Sequence, residues 1–228
     1  MEWISVLLLG FFLGMRHSTD ADHVVAVTTI VSEQRKLGRA GLIGIAWGLG
    51  HTLTILLIGS AIIYMKFTIP PALGLSMEFS VGVMIVILGL FSLRRLFTKK
   101  HAHPHGTEQA EASDVPSSRS RYIRPLAVGL VHGMAGSAAV ALLVLNAISN
   151  EKLAFFYLFI FGLGTVAGMM LVTMAIGLPF IFSKRTQSLN RVLGIGTAVF
   201  SIGFGLFLMY RLGISDGLLT GHPEWTPE

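Results

Sequence analysis

Apolar runs of about twenty residues follow one another along this chain, and that pattern leaves few folds open to it. A run of that length, wound as a helix, crosses the roughly 30 Å of a bilayer's hydrocarbon. A soluble domain carries about 25% charged residues. Here 13% of the 228 residues are charged, 53% are hydrophobic, and the mean hydropathy is +0.71. The expected fold is an all-α polytopic membrane protein with spans near 3–31, 40–65, 74–97, 125–148, 152–182 and 190–212. The chain opens Met-Glu-Trp with no basic segment, and more apolar runs follow the first. That start reads as a first span rather than a cleaved signal peptide. There is no cysteine, which excludes disulfides, thiolate metal sites and cysteine nucleophiles. The net charge of +5 fits basic loops on one membrane face and not nucleic-acid binding.

Between the third and fourth spans lies one polar stretch, 98–124, holding His101, His103 and His105 and then a Ser/Glu/Asp/Arg segment. It reads as a mobile loop, and its histidines could hold metal loosely. With six spans, alternate loops fall on the same side. One side then carries thirteen Lys and Arg residues, from Arg35 to Arg191, against Lys66, Lys152 and Arg211 on the other. The bias puts both termini outside and the long loop in the cytoplasm.

The two ends of the chain also resemble each other. LGMRH at 13–17 pairs with VGLVH at 128–132, WGLGHT at 47–52 with FGLGTV at 161–166, and LGLF at 88–91 with FGLF at 204–207. The offsets are 115 (17 to 132), 114 (48 to 162) and 116 (89 to 205). The chain therefore divides into a first three-helix repeat at 1–97, the loop at 98–124, and a second three-helix repeat at 125–228. Three spans in each half force opposite insertion, and inverted repeats are a transporter architecture with the site where the halves meet.

The chemistry gathers in the first span, at R-H-S-T-D-A-D-H, Arg16 to His23. A charge at the centre of a spanning helix costs about 2.5–3.5 kcal/mol even on the lenient insertion scale. Arg16 can neutralise one of Asp20 and Asp22, and a cation would balance the rest. Imidazole with carboxylate suits a divalent first-row metal. At about 100° per residue, His17, Asp20 and His23 share a sector of about 120° and Asp22 points nearly opposite. Two arrangements are open. In a straight helix Asp22 would pair with Arg16 or orient a histidine, and in a locally unwound one it would turn inward too. His51, in the middle of the second span between glycines that permit close approach, is the next candidate ligand. His132, Ser137 and Thr165 are the related positions of the second half, which offers no carboxylate there. A lone histidine inside a membrane more often bonds helix to helix, but a cluster of this kind points to metal or to a proton relay.

His17, four residues, then Asp22-His23 resembles the H-x4-D-H signature of nickel/cobalt transporters, and GLGHT around His51 resembles a second block of that family. The resemblance is specific over roughly 10–60. It implies metal recognition by His17, Asp22 and His23, with Asp20 as part of the wider signature. The classical members have more spans and a further acidic motif where this chain reads HGMAGSAA, His132 to Ala139. That is closer to the shorter branch found with urease and hydrogenase accessory genes. The resemblance implies secondary transport of Ni²⁺ or Co²⁺ in a bacterial inner membrane, with the ion as substrate and no resident cofactor. Uptake is the first expectation. Efflux loaded from the His-rich loop is the alternative, and assembly of a metalloenzyme without flux is an alternative of another class. The partners expected are the bilayer, the ion, a link to urease or hydrogenase maturation, and a second copy in a homo-oligomer. No nucleotide-binding loop, nucleophile elbow or His-Glu-x-x-His is present, so no enzyme activity is expected.

Overall fold

A computed structural model describes residues 2–32, 34, 36–66, 69–98, 118–134, 148, 150–182 and 187–225. The regular structure among those residues is helical, in seven helices: α1 Glu2–His17, α2 Ala21–Val31, α3 Leu37–Met65, α4 Pro71–Thr98, α5 Ser118–His132, α6 Glu151–Phe182 and α7 Gln187–Tyr210. A π-helical turn, Arg211–Ser215, follows α7. A chain with so little polar surface must satisfy its backbone internally, and helices do this within one segment. Four helices are long and apolar enough to cross a membrane: α3, α4, α6, and α7 with its π-turn. Their outer faces carry exposed large apolar side chains, among them Leu57, Phe91, Phe159 and Phe200. Such a surface is at home in lipid and not in water.

The first expected span is two helices, not one. Ser18 and Thr19 each turn a hydroxyl onto a backbone carbonyl, Ser18 Oγ to Met15 O and Thr19 Oγ1 to Arg16 O, both at 2.6 Å. The backbone tightens with them, Thr19 N to Arg16 O at 2.9 Å and Asp20 N to His17 O at 3.1 Å. These bonds compete with the helical ladder, and Asp20 leaves it altogether with ψ of 149°. The expected fourth span begins earlier than its boundary at 125. Residues 118–124, read as the end of the loop, are the first turns of α5. The histidines His101, His103 and His105 and residues 135–147 of that span, Ser137 included, lie outside the described residues.

The helices pack across the two halves of the sequence. α1 lies on α6, α5 on α3, α3 on α6, and α4 on α7. Glycine lets the backbones touch. A Cβ at Gly14 would sit 2.1 Å from the carbonyl oxygen of Phe161, and one at Gly129 would sit 2.1 Å from that of Trp47. Gly164 meets Phe11 O at 2.1 Å in the same way, and Gly50 meets Leu126 O at 2.2 Å. Each second contact is the first moved by 114 or 115 positions with the halves exchanged. Two apolar clusters flank these crossings. One joins Val25, Val27, Ala40, Trp47, Ile85 and Met169, and the other joins Ile55, Ala154, Tyr157, Leu158 and Phe161. The candidate site lies between them, with His23 stacked on Trp47 at 6.1 Å and His17 against Phe161 at 5.6 Å.

Candidate metal centre

The break between α1 and α2 is what assembles the site. His17 ends α1, and Asp22 and His23 stand in the first turn of α2. His51 comes from the middle of α3 and His132 from the last residue of α5. All four histidines are buried. Their rings form one group: His23 lies 4.7 Å from His17, 4.9 Å from His51 and 4.2 Å from His132, centroid to centroid.

The carboxylates stand behind the rings. Asp20 Oδ2 accepts from His17 Nδ1 at 2.8 Å, and Asp22 Oδ1 accepts from His23 Nδ1 at 3.0 Å. With Nδ1 protonated in this way, the lone pair of each ring is on Nε2. His23 Nε2 has no hydrogen-bond partner, and His17 Nε2 faces His51 Nε2 at 2.9 Å. The second oxygen of Asp22 accepts from His132 Nε2 at 2.9 Å, so one carboxylate bridges α2 and α5. His51 Nδ1 and His132 Nδ1 are buried without partners. Two donor sets are close enough to hold a metal ion: His17, His23 and His51, and Asp22, His23 and His132, the ligand atoms of each set lying within 4.8 Å of one another.

Of the two arrangements open in the sequence, the helix is locally unwound and Asp22 turns inward. It does not pair with Arg16. The Arg16 side chain is exposed and lines a neighbouring cavity. Thr165 is buried, and its hydroxyl donates to Phe161 O of its own helix at 3.0 Å instead of reaching the histidines. His132 is more central than its sequence context indicates. Its signal was the offset of 115 from His17, which carries the same role into the other half. Trp47, stacked on His23, went unread because a tryptophan among glycines looks like packing alone.

A cavity of about 480 Å³ opens beside the cluster. His17, Asp20 and Asp22 form its inner wall. Glu78, Asp216 and Trp225 also line it. The Asp20 side chain is 39% exposed, against 17% for Asp22, so Asp20 is the carboxylate nearer open space.

No protein-family model and no solved structure matches the chain. Two curated proteins do. The chloroplast protein FOR GROWTH AND FERTILITY 2 of Arabidopsis thaliana is 24% identical over 217 residues, covering 88% of this chain and 57% of that protein. The urease accessory protein UreH of Bacillus sp. (strain TB-90) is 38% identical over 221 residues, 96% of either chain. Identity at that level, running from end to end of both proteins, places this chain in the family of the urease accessory protein UreH.

Proposed function

We propose that the chain is a secondary carrier of Ni²⁺, or Co²⁺, working by alternating access at the His/Asp cluster. The observation that carries the reading is a set of four buried histidines and one bridging carboxylate, drawn from both halves of the chain and walled by apolar helices. His17, His23 and His51 bind the ion through Nε2. Asp20 and Asp22 hold His17 and His23 by Nδ1, fixing tautomer and direction. The approach of His17 Nε2 to His51 Nε2, at 2.9 Å, supports a shared ligand site between α1 and α3. Two carboxylates answer a dication, and the buried, unpartnered His23 Nε2 gives its desolvation a return.

The six spans form two inverted three-helix repeats, and the exchange of contacts between halves supports that arrangement. The ion sits where they meet, and rocking one half against the other exposes it to either side. The bilayer is a bacterial inner membrane, with both termini outside and 98–124 in the cytoplasm. The direction is uptake, feeding urease maturation, as the name of the relative suggests. That name also favours a second reading, in which the chain holds nickel for assembly without moving it.

Radiolabelled nickel in cells expressing the chain, beside the His17→Ala and Asp22→Ala variants, separates these outcomes. Accumulation lost in both variants is expected. Accumulation raised in the variants would reverse the direction to efflux. Nickel retained on the inserted protein with no flux would leave the assembly role.

A further inference from the structure

The segment after α7 is a built structure, not a trailing end. The chain leaves the helix through the π-turn Arg211–Ser215, where Asp216 N bonds to Arg211 O at 2.9 Å. Leu219 N bonds to Gly213 O at 2.8 Å, and Glu224 N returns to Asp216 O at 3.0 Å, which closes the loop on itself. Gly217 and Gly221 make the reversals at φ of +83° and +84°. At Gly217 a Cβ would lie 1.9 Å from His222 O, so the turn is tight as well as left-handed. The reversal carries Trp225 onto the first turn of α4. Its ring covers Gly74, where a Cβ would lie 2.5 Å from Cδ2, and its Nε1–H donates to Glu78 Oε1 at 2.9 Å.

This strap and the histidine cluster share one cavity. Leu212, Asp216, Glu224 and Trp225 form one side of the space of about 480 Å³, and His17, Asp20 and Asp22 form another. An aquo dication with six waters, at about 30 Å³ each, fits that volume. The strap touches none of the cluster's hydrogen bonds. The π-turn itself packs on α4, where a Cβ at Gly213 would lie 3.5 Å from Phe79 Cε2, and beyond it Trp225 fastens the strap's end with its ring and its hydrogen bond.

We propose that Asp216–Trp225 is the gate of the ion's access cavity, latched to α4 by Trp225 on Glu78 and Gly74. This rests on the carrier reading, to which it adds the route by which the hydrated ion reaches His17 and Asp20. Opening lifts Trp225 from Gly74, with Gly217 and Gly221 as the hinge and the π-turn as the fixed anchor.

The absence of cysteine from the chain makes the test direct. Leu208 lines the cavity. A Leu208→Cys protein in membrane vesicles is exposed to a membrane-impermeant methanethiosulfonate, and the rate of modification is followed by mass. The same rate is then measured with Trp225→Phe added, which keeps an aromatic ring, smaller than the indole, and removes the donor. It is measured again with Gly74→Ala, which favours the helix but drives the ring away. A several-fold faster modification in both is expected. Equal rates in all three proteins would overturn the gate. Ala198, fully buried where α7 meets Gly89 of α4, supplies the control. If Ala198→Cys also reacts faster with the latch broken, Trp225 holds the fold and the gate fails. A latch-dependent rate in a protein that moves no nickel would leave the gate standing and bring down the carrier.

Discussion

Alanine at Gly129 would add one methyl group where the backbone of α5 rests on α3, and its effect can be followed to the metal centre. The new Cβ would stand 2.1 Å from Trp47 O, 2.7 Å from Trp47 Cδ1 and 3.0 Å from His51 N. The closest of these atoms is backbone, which cannot move aside as a flexible side chain can. To regain an ordinary contact of 3.4 Å, α5 must retreat by roughly 1.3 Å, the difference from 2.1 Å. His132 is one turn further along α5. The same retreat opens its bond to Asp22 from 2.9 Å to beyond hydrogen-bonding reach. Overpacking of this kind costs about 1–3 kcal/mol. By propensity alone the change would stabilise the helix by about 1 kcal/mol. Loss of a partner that orients a metal site lowers metal affinity about 10–100-fold. Gly129→Ala should therefore raise the nickel concentration for half-maximal uptake by about that factor, with a lower Tm. Gly196→Ala, where a Cβ meets nothing within 4 Å, should leave both unchanged. Wild-type nickel dependence in Gly129→Ala, or an equal loss in Gly196→Ala, would refute the reasoning.

Other residues give separate tests. Asp22→Asn should impair uptake more than Asp20→Asn, because Asp22 holds both His23 and His132 whereas Asp20 holds His17 alone; nickel dependence of the two variants decides it. Tyr157→Phe removes a buried hydroxyl that has no partner, so the Tm should stay or rise, and a clear fall would reveal a partner. Ser201→Ala strips Thr29 of its contact between α2 and α7 and should cost about 1 kcal/mol in thermal unfolding, with uptake retained.

Much of this was legible in the sequence, for identifiable reasons. The apolar runs located α3, α4, α6 and α7 because lipid leaves the backbone no other choice. The pattern from His17 to His23, with His51, named the residues that converge, since charge at membrane depth demands a reason. The break at Ser18–Asp20 stayed open because serine and threonine can bond a carbonyl either within a continuing helix or at its end. The reach of His132 to Asp22 depends on how closely α5 lies on α3, and that closeness is set by Gly129 and Gly50 facing backbone, which no one-dimensional pattern displays. The strap was invisible for a related reason. Trp225 reads as an interface anchor until the reversals at Gly217 and Gly221 bring it to α4.

The packing of α1 on α6 and of α5 on α3 has a consequence for how the chain is made. α1 ends at His17, and its partner does not begin until Glu151. At about 5–20 residues per second, roughly ten seconds pass between their syntheses. Through that interval the glycine face of α1, Gly10 and Gly14, lacks Tyr157 and Phe161, the residues it meets in the finished fold. The first half cannot complete itself alone, because its own α3 is paired with the other half. Cutting the chain between residues 98 and 118 should thus leave two fragments that work only when expressed together, each acting as the folding template of the other.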